Sequence, residues 1–93
     1  MGDGVTVYVD PLMNHGWRMR GRTVPNCHLF ADTIPELHAF ALGIGMKIEW
    51  FQDHSKLPHY DLTAARRARA IKMGAQEVTR RELVLFMRNG RFL

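Results

Sequence analysis

The chain has 93 residues, which is enough for a single domain with a thin core. Its one cysteine, Cys27, excludes an internal disulfide and a multi-cysteine zinc site, and its apolar content of 46% is typical of a folded rather than a disordered protein. The net charge of +4 favours anionic partners such as nucleic acid, nucleotides or phosphorylated metabolites.

Neither a membrane span nor a secretion signal is expected. No apolar run approaches the ~20 residues that a span requires. The first residues, MGDGVTVYVD, lack the basic and apolar segments of a signal peptide. We therefore expect a cytoplasmic protein without membrane contact.

The first predicted element is a buried strand over Val5 to Val9, which are mostly β-branched or aromatic. Residues 10–26 then have no clean period and contain two prolines and two glycines, so we expect a long loop. Loops of this length are usually functional or mobile. The following CHLFA could form a short strand or an extended lead-in to the first helix.

A capping box over Thr33 to Glu36 announces that helix, with a proline in its first turn. Leu37, Phe40, Ala41 and Ile44 repeat at helical spacing, and Gly43 and Gly45 are suited to end the helix. The segment Lys47 to Phe51 then predicts a second strand, with Ile48 and Trp50 on one face and Phe51 on the other.

The stretch FQDHSKLPHYDLT is interpreted as a loop that leads into a second helix. Asp61 or Thr63 caps this helix, which runs to about Met73 and ends at Gly74. For Asp61, capping by acceptance of backbone N–H bonds is the stronger structural interpretation.

The last elements are a minimal strand, AQEV, and a third helix that opens with a capping box, Thr79 to Glu82, and stops at Asn89-Gly90. Residues 90–93 are predicted to be a frayed tail. The order βαβαβα predicts one small α/β domain over residues 1–93 with a mainly parallel sheet of three or four strands. Two-layer and three-layer arrangements both remain open.

Ligands bind beyond the carboxyl ends of parallel strands, where loops and helix N-termini converge. Almost every chemically capable side chain follows one of the predicted strands, so we expect a polar cleft at that edge. Asp10, His59 and His54 are candidates for proton transfer. Asp10 could equally be a turn former before Pro11.

The same edge offers ligand types for a divalent metal, for which the candidates are Asp10, His54, His59 and Asp61. The histidines are separated by a loop and lack the fixed spacing of a helical metal motif. His28 and His38 are interpreted differently, as hydrogen-bonded, partly buried residues.

Anion recognition is predicted for the arginines, because a guanidinium binds phosphate or carboxylate at two points. The candidate ligand-binding residues are His15, Arg20, Arg22, Gln52, Tyr60, Arg66 and Arg67. The loop places the aromatic Trp17 among arginines, a pattern that is typical of surfaces that bind single-stranded nucleic acid. The structural alternative is that the arginines are solvated and that Trp17 covers the core.

These patterns favour a protein that binds a phosphate-bearing ligand, either a nucleotide or nucleic acid, and that could hydrolyse a phosphoester. The alternative is a non-catalytic interaction module that binds nucleic acid or an acidic protein through its arginines and Trp17. Both an enzyme and a binding module therefore remain open. A thin core with exposed aromatic residues is also compatible with a homodimer.

A resemblance to a known family rests on five sequence segments that occur in a fixed order: VYVD, CHLFADTIPELHAFALGIG, WFQ, HYDLTAARRARAIKMGA and EVTRRE. Together they resemble a family of small bacterial and phage proteins catalogued as domain of unknown function 4031, over about Val5 to Arg88. The resemblance implies a bacterial or phage cytoplasmic origin. It assigns no catalytic residue.

Overall fold

A computed structural model of the protein describes residues 6–54 and 56–89. Its strands are β1 (Val7–Val9), β2 (Arg18–Met19), β3 (Arg22–Thr23), β4 (Asn26–Ala31), β5 (Tyr60–Thr63) and β6 (Gln76–Glu77). Its helices are α1 (Ile34–Gly43), α2 (Ala64–Lys72) and α3 (Arg80–Arg88). The α/β class predicted from the sequence is confirmed.

The main sheet is mixed, so the prediction of a mainly parallel sheet is wrong. Its strand order is β5-β4-β1-β6, in which β4 runs antiparallel to both neighbours and β6 runs parallel to β1. The chain returns from β1 to β4 through residues 10–25, which contain the small β2–β3 hairpin rather than a helix. Because this return contains no helical crossover, the chain reverses direction and β4 runs antiparallel to β1.

Two element predictions in the middle of the chain are also wrong. The segment Lys47 to Phe51 contains a short 3₁₀ helix, Ile48–Trp50, instead of a strand. Ile48 is 49% exposed and Trp50 is 41% exposed, so no neighbouring strand buries them. The strand lies later, at Tyr60–Thr63, where the buried Tyr60 and Leu62 alternate with the partly exposed Asp61 and Thr63. Turn-forming residues next to this segment favoured its interpretation as a loop.

The sheet separates two apolar clusters, which makes a three-layer arrangement. On one face, Val7, Val9 and Leu29 pack with residues of α1 and α2, among them Leu37 and Ala70. The alternation of side chains along a strand sends the residues between them to the opposite face. There a smaller cluster comprises Phe30, Leu57, Leu83 and Phe86, with Tyr8, Val78 and Met87 against it.

The third helix covers only part of this second face. The ring of Phe86 lies 4.9 Å from Phe30 and 5.6 Å from Tyr8, between ring centres. Along β4, Asn26 and His28 precede Phe30 and lie on the same face as Phe30, because side chains alternate along a strand. The remainder of the face is therefore polar, and the candidate site lies there.

The predicted helix starts are confirmed, but two of the predicted capping roles are not. Thr63 is the N-cap of α2, and its hydroxyl accepts the Arg66 N–H, so the preferred capping role for Asp61 is wrong. Asp61 lies inside β5 instead. Thr33 caps α1 as expected, but the Glu36 carboxylate accepts the N–H and hydroxyl of Thr6, which ties α1 to the start of β1.

The predicted long loop is partly ordered by its hairpin. Arg20 and Gly21 adopt positive φ values of 52° and 77° at the hairpin turn. The predicted tail, residues 90–93, lies outside the described residues. Among the residues that the structure describes, no helix is long and apolar enough to cross a membrane.

Candidate metal centre

The register of the two neighbouring strands β4 and β5 brings the polar residues together. His28 lies directly opposite Asp61, and Cys27 lies opposite Leu62. Because side chains alternate, the apolar pair faces the larger core and the His28–Asp61 pair faces the opposite side. His59, two residues before Asp61, shares the face of this pair.

Asp10 orients His28 through two hydrogen bonds. One carboxylate oxygen accepts the His28 backbone N–H at 2.6 Å, and the other lies 2.8 Å from ring Nδ1. Since a carboxylate accepts, Nδ1 carries the proton and the lone pair of a neutral imidazole lies on Nε2. Asp10 is only 3% exposed, and its backbone carbonyl accepts an N–H from the Arg67 guanidinium at 2.9 Å.

The second imidazole is oriented in the same way by a carbonyl. His59 Nδ1 lies 2.6 Å from the Leu57 carbonyl oxygen and therefore donates to it. Its Nε2 lies 3.4 Å from Asp61 Oδ1. The other oxygen of Asp61 accepts a hydrogen bond from the Gln52 side chain. Both imidazoles thus keep Nδ1 occupied by the protein, and Nε2 of His59 faces the Asp61 carboxylate.

The electrostatics of the His59–Asp61 pair favour opposite charges. Burial lowers the pKa of His59, but the Asp61 hydrogen bond and the Leu57 carbonyl outweigh it, so the pKa is raised overall. Burial likewise raises the pKa of Asp61, but hydrogen bonds from His59 and Gln52 outweigh it and lower that pKa. Asp61 is therefore an ionised acceptor that attracts positive charge to this side of the sheet.

His28, His59 and Asp61 form a set with the separations of a metal site. Each offers one ligand atom, and these atoms all lie within 4.8 Å of one another. Zinc bonds of about 2.0 Å in a tetrahedral arrangement place ligand atoms roughly 3.3 Å apart. The 3.4 Å between His59 Nε2 and Asp61 Oδ1 is close to that spacing.

A cleft of about 390 Å³ opens directly over this set. Its lining residues come from the loop after β1, from β4 and from the segment around β5: His15, Gly16, Trp17, Asn26, His28, Gln52, His59 and Asp61. The His15 ring lies 5.2 Å from His28, and the His54 ring lies 6.4 Å from His59, between ring centres. Two exposed imidazoles therefore lie next to the metal candidates.

Asn26 provides a further polar group in the cleft wall. It is 4% exposed, and its Oδ1 has no hydrogen-bond partner among the residues that the structure describes. A buried acceptor without a partner costs free energy, commonly on the order of 1–3 kcal/mol. Such groups in native proteins often await a ligand, water or ion.

The family model for the protein of unknown function DUF4031 matches residues 7–90. The chain belongs to the DUF4031 family. No curated protein and no solved structure matches it.

The other candidates in this DUF4031 protein are distributed around the sheet. Arg66 lies against Trp50 and lines a neighbouring cleft. Arg67 donates to the Asp10 carbonyl and lies 3.4 Å from the Glu77 carboxylate. It therefore holds the backbone of Asp10 in place and does not line the cleft over the metal set. Tyr60 is fully buried on the opposite face, with its hydroxyl 2.7 Å from His38 Nδ1.

The two loop arginines lie in the hairpin of the DUF4031 protein. Arg20 is at its turn and Arg22 is in β3, and both are exposed. Among the described residues, neither lines the cleft over the candidate metal set.

Sequence reasoning missed His28 as a metal candidate and Asn26 as a wall residue of this DUF4031 protein. His28 was correctly expected to be hydrogen-bonded and partly buried. The available signal was the alternation in NCHLFA, where apolar Cys27, Leu29 and Ala31 interleave with Asn26 and His28. Interpretation of this segment as a definite strand would have placed both polar residues on one face.

Proposed function

We propose that this protein binds a divalent transition metal through His28, His59 and Asp61 and uses it to hydrolyse a phosphoester. The observation that carries the proposal is the pair of imidazoles whose Nδ1 atoms are held by Asp10 and by the Leu57 carbonyl. Metal-binding histidines are usually oriented by such a hydrogen bond from the other ring nitrogen. Asp10 therefore orients a ligand and is not itself one.

Two histidines and one carboxylate suit catalytic chemistry. Catalytic zinc has three protein ligands and a fourth position for water, whose pKa falls to about 7. His28, His59 and Asp61 would hold the metal, which would supply an activated water as the nucleophile toward phosphorus; the bond to the leaving oxygen would break as the new P–O bond formed. His15 or His54, protonated, can give that oxygen its proton.

The charge of the surroundings favours a phosphoester over a neutral ester or amide. Arg80 and Lys56 line another cleft, of about 370 Å³, that shares His15, His28 and His59 with the cleft over the metal set. Cations beside a metal stabilise the negative charge of a phosphoryl group in its transition state. The net charge of +4 acts in the same direction.

The unpartnered Asn26 oxygen is a separate argument for a polar ligand in this cleft. It can accept only from a donor, such as a substrate hydroxyl, an amine or a metal-bound water. Binding of such a donor would remove the desolvation cost of the buried amide oxygen.

Metal binding is tested by metal analysis and calorimetry on the full chain. We expect one zinc per chain and at least tenfold weaker binding in His28→Gln, His59→Gln and Asp61→Asn, since each removes a ligand atom. Asp53→Asn is the matched control, because Asp53 is an exposed neighbouring aspartate outside the metal set. Circular dichroism checks that each variant is folded.

Hydrolysis is tested with bis(p-nitrophenyl) phosphate. Activity should disappear with a chelator, return with zinc or manganese, and be lost in Asp61→Asn but not in Asp53→Asn. Activity that survives both the chelator and Asp61→Asn contradicts a metal mechanism. Metal binding with no turnover of any phosphoester would leave a binding role.

That binding role, a non-catalytic module for nucleic acid or an acidic protein, is the second candidate. The exposed positions of Arg20 and Arg22 in the hairpin favour it. Under this alternative, Arg20→Ala with Arg22→Ala should weaken binding and reduce its salt dependence. Under the metal-site proposal, the same pair of changes leaves zinc affinity unchanged.

A further inference from the structure

A second cleft, of about 420 Å³, adjoins the metal cleft and differs from it in character. Its residues are Trp17, Met46, Trp50, Gln52, Asp61, Thr63 and Arg66. Trp17, Gln52 and Asp61 belong to both clefts. A ligand at the metal can therefore extend directly into an aromatic, largely apolar space.

Trp50 is the central feature of this second cleft. It is 41% exposed, although tryptophan is usually well buried. The Arg66 guanidinium carbon lies 5.2 Å from its ring centre, and the Lys47 ammonium lies 5.6 Å from it. Both cations lie over the indole ring, so a planar ring that carries a negative group would stack there by taking the place of one cation, which could then pair with that group.

A third cleft continues the groove on the other side of the metal candidates. It shares His15, His28 and His59 with the central cleft and adds Lys56 and Arg80. The three clefts share lining residues and thus form one groove, which passes around the edge strand β5 and which we call the strand groove. Its first end is aromatic, its middle holds the metal candidates, and its far end carries Lys56 and Arg80 beside the apolar residues Leu83, Val84 and Met87.

We propose that the strand groove binds single-stranded nucleic acid, with one base stacked at Trp50 and Trp17 and the adjoining phosphodiester at the metal candidates. This inference rests on the proposed function and names its substrate. Base stacking on aromatic side chains together with a basic track for the backbone is the usual means of binding single strands. A duplex keeps its bases stacked on one another and cannot offer a ring to Trp50.

The far end of the groove distinguishes binding of a nucleic-acid strand from binding of a free mononucleotide. A mononucleotide would occupy the aromatic cleft and the metal cleft only. Lys56 and Arg80 lie beyond the metal candidates, where the next phosphate of a strand would pass. The reaction is then hydrolysis of an internal phosphodiester: water supplies the oxygen that bonds to phosphorus, and the leaving sugar oxygen takes a proton.

The stacking part is tested by fluorescence anisotropy with a labelled twelve-residue oligothymidylate, an equal-length duplex and adenosine monophosphate as competitor. The single strand should bind at least tenfold more tightly than either. Trp50→Ala should weaken binding about 5- to 150-fold, the range measured for loss of one stacked base. Trp50→Phe should retain most of the affinity, and Ile48→Ala is the control on the same turn.

The basic end is tested by the salt dependence of the same binding. Lys56→Gln with Arg80→Gln should lower the slope of log affinity against log salt by about 1.4, since each single-strand phosphate contact contributes about 0.7. Arg81→Gln, an exposed neighbour on α3 that is outside the groove lining, should leave the slope unchanged.

The two proposals fail in different ways. Zinc binding and small-diester turnover without preference for the single strand would overturn the strand groove alone. Equal binding of the mononucleotide, or unchanged affinity in Trp50→Ala, would overturn it as well. Single-strand binding by a protein that takes up no zinc would support the groove and overturn the metal centre.

Discussion

At the scale of single residues, burial strongly reduces the reactivity of the Cys27 thiol. It is fully buried in β4, and burial, with a further contribution from Asp10, raises the pKa of its thiol from 9.0 to about 12. The reactive species is the thiolate, whose fraction at neutral pH falls about a thousandfold with this shift.

We therefore predict that Cys27 does not react with Ellman's reagent in the native protein at pH 8. One equivalent should react once guanidinium chloride unfolds the chain, because the ordinary pKa then returns. Absorbance at 412 nm measures both. Rapid stoichiometric labelling without denaturant would show that the thiol is not enclosed.

Residue identities at the site were predictable where the residue type itself limits the chemistry. His59 and Asp61 were both candidate metal ligands before the fold was known, and the structure brings them within 3.4 Å of each other. The role of Asp10 could not be read in the same way, because its partner His28 is 18 positions away. Such a pairing follows from strand register, which local patterns do not specify.

At the scale of elements, α3 offers a clean test of the capping interpretation. The Thr79 hydroxyl accepts the Glu82 N–H at 3.1 Å, and the Glu82 carboxylate accepts the Thr79 N–H at 2.8 Å. This reciprocal capping box was predicted from the sequence and is confirmed.

We predict that Thr79→Ala lowers the free energy of unfolding by about 1 kcal/mol, the usual cost of losing an N-cap. For a chain of this length, that lowers Tm by about 4–8 °C. Thr79→Ser keeps the hydroxyl and should remain close to the wild type. Equal melting temperatures for the alanine and serine variants in thermal unfolding would contradict a stabilising cap.

Helices were easier to predict than strands for a physical reason. A helix start is a local event, in which a side chain such as Thr63 or Thr79 satisfies an N–H two or three positions away. A strand is completed only by its neighbours. The segment at Tyr60–Thr63 pairs with β4, more than thirty positions earlier, and nothing within the segment indicates that partner.

At the scale of the whole molecule, the two faces of the sheet are unequally covered. Two helices pack on the larger cluster, whereas the smaller cluster depends on α3 through Leu83 and Phe86. Loss of Phe86 should therefore release α3 before the rest of the fold.

We predict that Phe86→Ala costs about 3–5 kcal/mol, because it leaves a cavity against Phe30 and Tyr8. A domain of this size has on the order of 5–14 kcal/mol in total. Hydrogen exchange should accelerate most in α3 and least in β4. Leu85→Ala, which changes a 45% exposed residue of the same helix, is the control. Uniform acceleration throughout the chain would argue against separate release of α3.

The overall topology was only partly accessible from the sequence. Composition and element order were sufficient for the α/β class. The reversal of β4 was not predictable, because its cause is the return through residues 10–25, which local patterns identify only as a loop. This reversal places His28 on the strand between β1 and β5, in reach of both Asp10 and Asp61.

The direct pairing of His28 with Asp61 has a consequence for assembly of the sheet. A slip of one residue between β4 and β5 would turn one partner toward the larger core and separate the two ligand atoms. A cation that needs both side chains binds only the correctly aligned strands, and a ligand specific to one state stabilises that state. If the proposed metal binds both side chains, it would favour the native register of β4 and β5 over a register shifted by one residue.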